Sequence, residues 1–138
     1  MKRSASAVWS GGLKEGRGSI STESGVLNDT QYSFGTRFEN GKGTNPEELI
    51  AAAHASCYSM ALSHALAGNG TPPESVETTA SVTFIPGTGI TGSHLNVNAV
   101  VPGISAEDFA RIADEAKAGC PVSAALAGIE ITLEATLA

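Results

Sequence analysis

The chain has 138 residues, 41% of them hydrophobic and only 16% charged, with a formal net charge of −6 and a pI of about 4.9. Eight Lys and Arg residues scattered through an acidic chain give no positive footprint for a phosphate backbone or an anionic membrane surface, so nucleic-acid and membrane-surface partners are excluded. The length predicts a single domain over residues 1–138, and a charge content below the usual quarter points to surface hidden in an oligomer.

Met1-Lys2-Arg3 is followed by Ser4-Ala5-Ser6-Ala7, with no continuous apolar run. No signal peptide is read there, and the expected location is the cytoplasm. The first forty residues then alternate around glycines. Strands are predicted over 5–9 and 17–22, and a third over 32–39, where Tyr32, Phe34, Thr36 and Phe38 alternate with Ser33, Gly35, Arg37 and Glu39. In that strand Arg37 points away from the aromatic face.

Gly41-Lys42-Gly43-Thr44 breaks the pattern. A long helix follows at once, with Asn45 as N-cap, Pro46 at the first helical position and Glu48 three after the cap. Gly68-Asn69-Gly70 and Pro72-Pro73 end it. Its apolar stretch, 49–67, contains His54, Ser56, Ser59, Ser63 and His64, which suits a buried helix of a water-soluble protein better than a membrane span. It is nonetheless apolar nearly all round, so a one-sided sheet covers one face and a second subunit is the natural cover for the other.

Two strands are predicted over 76–85 and 92–101. Ser105 with Asp108 opens a helix that runs through Lys117 and stops at Gly119. Pro121 begins a short helix to about residue 127, and 130–137 alternates as a final strand. This order predicts an α+β fold in which a mostly antiparallel sheet packs on a long central helix.

The residues with redox chemistry are the two cysteines, Cys57 and Cys120. Cys57 lies mid-helix on an alanine-rich segment, a position that by itself more often holds an inert, small apolar cysteine than a nucleophile. A reactive thiolate there needs a cation, because the helix dipole acts only near the ends. No Lys or Arg occurs between Asn45 and Gly70. Arg37 is the nearest candidate before the helix, and Glu47 is its natural clamp, although Glu47 also suits the positive helix end by itself. Ten residues separate Glu47 from Cys57, about 15 Å along a straight helix. If Arg37 and Glu47 both serve Cys57, they come from a partner chain across antiparallel helices.

Cys120, in Gly119-Cys120-Pro121, reads either as a buried cysteine at a helix start or as a resolving thiol for a Cys57 sulfenic acid. His54 shares a face with Cys57, but zinc wants four ligands, and His64, His94 or Cys120 would have to converge without a paired motif. No metal and no cofactor are expected. His54 reads as a hydrogen-bonded core or interface histidine that adds positive potential near Cys57. Neither Gly87-Thr88-Gly89 nor the 41–44 loop matches a nucleotide fingerprint.

The run Gly43-Thr44-Asn45-Pro46-Glu47-Glu48-Leu49-Ile50-Ala51-Ala52-Ala53-His54-Ala55-Ser56-Cys57 resembles the OsmC/Ohr family of organic hydroperoxide reductases, as does Lys117-Ala118-Gly119-Cys120-Pro121-Val122-Ser123. Together with 21–28, the wording is similar to the OsmC branch more than to Ohr. The resemblance runs from about Trp9 to the last strand. It implies an intertwined α+β homodimer with two long central helices and two interfacial sites. Cys57 matches the family's peroxidatic cysteine, Cys120 its resolving cysteine, Arg37 its activating arginine and Glu47 the partner glutamate. Tyr58 stands where the family often has phenylalanine, and the added hydroxyl is expected to bear on substrate preference. The implied activity is a thiol peroxidase for organic hydroperoxides, re-reduced by an external dithiol, a lipoylated protein being one candidate by analogy with Ohr. The competing reading from the residues is a cysteine-pair redox sensor, or a stress protein holding a small apolar ligand without turnover. An apolar lining from Leu49, Ile50, Met60 and nearby aromatics is expected around the thiol.

Overall fold

Trp9 faces Gly18, and Gly18 faces Tyr32, across three short antiparallel strands, β1 (Ala5–Ser10), β2 (Arg17–Thr22) and β3 (Thr30–Tyr32). A side chain at Gly18 would run into the Tyr32 ring and come within 2.7 Å of the Trp9 ring. The glycine lets the two rings meet, with centroids 5.4 Å apart. These strands open the computed structural model, which describes all of residues 1–138. The chain forms two compact units, Met1–Leu49 and Ile50–Ala138.

In the first unit, the segment expected as a strand over 32–39 divides. After β3 ends at Tyr32, residues Phe34–Phe38 form a short helix, α1. The cause is local. The Ser33 hydroxyl accepts from the Thr36 backbone N–H, and the Thr36 hydroxyl accepts from the Ser33 N–H at 2.8 Å, closing a capping box. Tyr32, Phe34 and Phe38 imitate a strand's alternation, but two satisfied helix-end donors win over that pattern. The loop to the next helix carries Gly43 at φ +134, backbone that L side chains rarely adopt.

Helix α2 (Pro46–Gly68) begins in the first unit and continues through the second. Asn45 caps it as expected, its Oδ1 accepting from the Glu48 N–H at 2.7 Å, while its Nδ2 donates to the Thr36 carbonyl at 3.0 Å. One residue therefore starts α2 and ties it to α1. The Glu48 carboxylate takes the Thr44 hydroxyl at 2.8 Å instead of completing the box on Asn45.

The second unit packs the rest of α2 on a sheet ordered β4 (Ser75–Ile85), β5 (Gly89–Val100), β6 (Glu130–Leu137). β4 and β5 are antiparallel, whereas β5 and β6 are parallel. The parallel pair follows from its connection, since α3 (Ala106–Gly119) and α4 (Pro121–Ala125) carry the chain back between the two strands. The expected α+β, mostly antiparallel class holds.

The core lies on one stripe of α2. His54, Tyr58, Leu62 and Leu66 are all fully buried and recur every fourth residue. With them cluster Leu95, Val97 and Ala99 of β5, and Phe109, Ile112 and Ala113 of α3. Burying Leu62 and Leu66 stabilises the unit by about 1.5–3 kcal/mol each. On the opposite face, Ala52, Ala53, Ser56 and Ala67 are exposed, and Met60 is 75% exposed. No helix is long and apolar enough to cross a membrane.

Candidate active site

The two units hold two separate pairs of the expected residues. In the first, α1 presents Arg37 and the first turn of α2 presents Glu47, and Arg37 Nε donates to Glu47 Oε1 at 2.8 Å. The Glu47 side chain is 10% exposed, and its Oε2 is buried without a hydrogen bond. A carboxylate this enclosed is held by the guanidinium and by the positive helix end together.

Arg37 does not point away from the aromatics, because a helix replaces the expected strand. Its guanidinium carbon sits 5.7 Å from the Phe38 ring centroid, and Phe38 packs on Phe34 at 4.6 Å. Trp9, Leu13, Tyr32, Phe34 and Phe38 line a mostly apolar cavity of about 260 Å³ that also contains Arg37. The lining was expected around the Cys57 thiol, and this cavity surrounds Arg37 and contains no cysteine. Leu49, Ile50 and Met60 are not among the residues of this cavity.

In the second unit, Cys57 and Cys120 are in hydrogen-bonding contact, both as free thiols. Cys57 sits mid-helix and is partly exposed, whereas Cys120 is fully buried. Cys120 ends α3, its N–H bonding the Ala116 carbonyl at 3.0 Å, and it is also the N-cap of α4 with Pro121 next.

The pair shares its protons unequally. Burial, and then the bond to Cys120, push the Cys57 thiol up, with only the Val122 N–H opposing. Burial also raises Cys120, but the polar groups beside it, Cys57, the Ser123 amide and hydroxyl and the Val122 amide, outweigh that and bring it below its ordinary value. No cation is among the groups that set either thiol. Within the second unit, Cys120 is the more acidic of the two thiols. Cys57 needs a cation from elsewhere to become the nucleophile.

His54 and Tyr58, adjacent on the same stripe, have structural partners that sequence reasoning missed. His54 Nδ1 bonds Ser93 Oγ at 2.7 Å and Nε2 bonds Ser123 Oγ at 2.8 Å. Desolvation by burial lowers its pKa, so at neutral pH the ring is uncharged and gives Cys57 no positive potential. Tyr58 donates its hydroxyl to the Ala113 carbonyl at 3.0 Å, pinning α2 to α3. Its hydroxyl is thus spent inside the core. No three His, Cys, Asp or Glu side chains converge as a metal donor set.

A cavity-borne arginine held by a carboxylate, and a thiol pair of unequal acidity, are parts that together can reduce a peroxide bond. The sequence profile of the OsmC-like proteins matches residues 39–134, a span that contains Glu47, Cys57 and Cys120 and begins just after Arg37. Peroxiredoxin OsmC of Escherichia coli (strain K12) is 54% identical over 131 residues, covering 93% of this chain and 91% of that protein. The organic hydroperoxide resistance protein OhrA of Bacillus subtilis (strain 168) is 35% identical over 96 residues, 67% of each chain. Among solved structures, an OsmC-like protein from Mycoplasma pneumoniae superposes with a TM-score of 0.75, over 99% of this chain and 97% of that one. At 15% identity, that likeness speaks to the fold alone.

Proposed function

The chain belongs to the OsmC-like family, and on that premise we propose that it is a cysteine-based peroxidase reducing organic hydroperoxides to alcohols in stress defence. The observation that carries this reading is the pairing of a partly open thiol, Cys57 in the middle of α2, with an enclosed one, Cys120 at the junction of α3 and α4. The Cys57 thiolate attacks the terminal oxygen of the hydroperoxide. The sulfur–oxygen bond forms as the oxygen–oxygen bond breaks, and the alkoxide takes a proton and leaves as the alcohol. Cys120 then attacks the Cys57 sulfenic acid, forming the disulfide and expelling water. An external dithiol restores both thiols.

Arg37 has two tasks in this scheme: drawing down the Cys57 thiol, and stabilising charge on the departing oxygen while Glu47 orients it. The cavity of Trp9, Tyr32, Phe34 and Phe38 around Arg37 suits an alkyl or aryl substituent on the peroxide. The two units act as one catalytic domain, residues 1–138, of a cytoplasmic homodimer. The exposed face of Ala52, Ala53, Ser56, Met60 and Ala67 supports pairing of two α2 helices. Arg37 and Glu47 of one protomer serve Cys57 of its partner, because Glu47 lies ten residues before Cys57 on one continuous helix. The reductant is a dithiol, with a lipoylated protein as one form of it.

Steady-state turnover tests the assignment. Cumene hydroperoxide with dithiothreitol as reductant should be consumed over many equivalents per chain. A sensor would stop after one equivalent, and a carrier of an apolar ligand would consume none; either result removes the peroxidase reading.

A further inference from the structure

The cavity around Arg37 has one apolar wall residue that the fold leaves out in solvent. Trp9, Tyr32, Phe34, Phe38 and Pro46 line it half-buried, whereas Leu13 lines it at 62% exposure. A lone exposed leucine on a protein surface carries no meaning by itself. This one is fixed at the rim of a cavity by its loop. Leu13 lies in the turn between β1 and β2, closed where the Gly16 N–H donates to the Gly12 carbonyl at 2.8 Å. At the root of the turn the Trp9 indole N–H donates to the Gly11 carbonyl at 3.0 Å. Gly11 stands at φ +92, which admits a glycine readily and a side chain rarely. A side chain at Gly16 would run into the Gly12 carbonyl and come within 2.9 Å of the Trp9 ring. The loop is therefore seated on the indole, and Leu13 and Arg37 open on the same space of about 260 Å³.

We propose that Leu13 is a specificity-determining residue, the rim contact that selects hydroperoxides by the size of their carbon substituent. This rests on the peroxidase reading and assigns the end of the substrate that the β1–β2 loop recognises. Arg37 is the charged residue of the lining, and negative charge develops on the peroxide oxygens as their bond breaks. The peroxide end therefore belongs at Arg37, and the substituent belongs against the aromatic wall and Leu13. A bulky substituent seated there takes the leucine surface out of water. Hydrogen peroxide has no carbon and covers none of it. Full burial of a leucine is worth about tenfold or more in affinity, so covering part of one that starts 62% exposed should be worth about fivefold. The gain grows with the reach of the substituent, a cumyl group covering more of the rim than a tert-butyl group.

The test reads binding without turnover, so it fails separately from the peroxidase assignment. Trp9 is the one tryptophan of the chain, and its emission reports on this wall. Cumyl alcohol, the product of cumene hydroperoxide, titrated into the wild-type protein should move that emission to shorter wavelength and saturate. Leu13→Ser, an exposed position where folding is not at stake, should raise the Kd about fivefold. Leu13→Met restores an apolar side chain of similar volume and should bring the Kd back to within about twofold. Val26→Ser removes an apolar side chain that is 84% exposed and outside the cavity, and should leave the Kd where it was. With peroxides, the ratio of kcat/KM for cumene hydroperoxide to that for hydrogen peroxide should fall about fivefold in Leu13→Ser, mostly through KM, with tert-butyl hydroperoxide affected less. Equal Kd values in the wild type and Leu13→Ser overturn the proposal, and so does a wild type whose emission never responds. The expected binding pattern without any peroxide turnover sinks the peroxidase reading instead, and leaves Leu13 selecting the ligand.

Discussion

The two units divide the chemistry by charge. Met1–Leu49 holds a guanidinium clamped by a nearly enclosed carboxylate inside an aromatic cavity, and it has no thiol. Ile50–Ala138 holds both thiols in contact, and no cation acts on either. Within the thiol unit, Cys57 is pushed up and Cys120 brought down, so the buried sulfur is the more acidic of the two. The lesson is that the groups able to carry opposite charges are built by different stretches of chain, the positive one by Arg37 on α1 and the ionisable sulfurs by α2 and the α3–α4 junction.

The sharpest way to break this division is to remove its nucleophile. Cys57→Ser should lower peroxide consumption by more than about 10³-fold, since the other thiol of the chain, Cys120, is buried. Arg37→Met should cost about 10²-fold at pH 7 and move the midpoint of the rate's pH profile upward, activity rising with pH as the thiolate forms; an opposite charge within about 4–6 Å of a thiol is worth about one to three units. Stopped-flow peroxide reduction at several pH values checks both, and a midpoint unmoved by Arg37→Met would detach the two units chemically. Mixing is subtler. Arg37→Met and Cys57→Ser proteins, each inactive, should regain about a quarter of wild-type activity when unfolded together and refolded at equal amounts, because half the random dimers then hold one intact site. No recovery means that each chain serves itself.

The smallest effect concerns stability. His54 has a depressed pKa in the folded state, so the unfolded chain binds the proton more readily. Stability is then full above an ordinary histidine's pKa of about 6.5 and falls as pH drops below it, by at most about 1.4 kcal/mol per unit, until the folded ring itself protonates. Urea melts between pH 7 and 5 should show this slope, and His54→Gln should flatten it.

Much of this was readable in the residues. The strands Arg17–Thr22 and Glu130–Leu137 fall where they were expected, the second because Ile131, Leu133, Ala135 and Leu137 alternate with polar residues. Asn45-Pro46 announced α2 through capping chemistry that needs no tertiary context. Helix α1 was hidden because its aromatics fall on alternate positions, yet Ser33 and Thr36, three apart, carried the capping-box signal that would have found it. The site residues were legible as types and as two pairs, and the structure joins Arg37 with Glu47 and Cys57 with Cys120. The pair of hydrogen bonds from His54 to Ser93 and Ser123 was not legible. Its serines lie 39 and 69 residues away on other elements, and nothing local marks a serine that will meet a buried imidazole.

One consequence of Cys120's seat remains. It is fastened on both sides, its amide closing α3 and its carbonyl accepting from Ala124 at 3.0 Å, while Cys57 rides the middle of a 23-residue helix. Joining two sulfurs already in contact on such backbone asks for side-chain rotation and little else, so far-ultraviolet circular dichroism and hydrodynamic radius should hardly register the oxidised form. A signalling protein must change shape to be heard. This scaffold instead resembles a piston housing, stiff so that one small part can cycle many times.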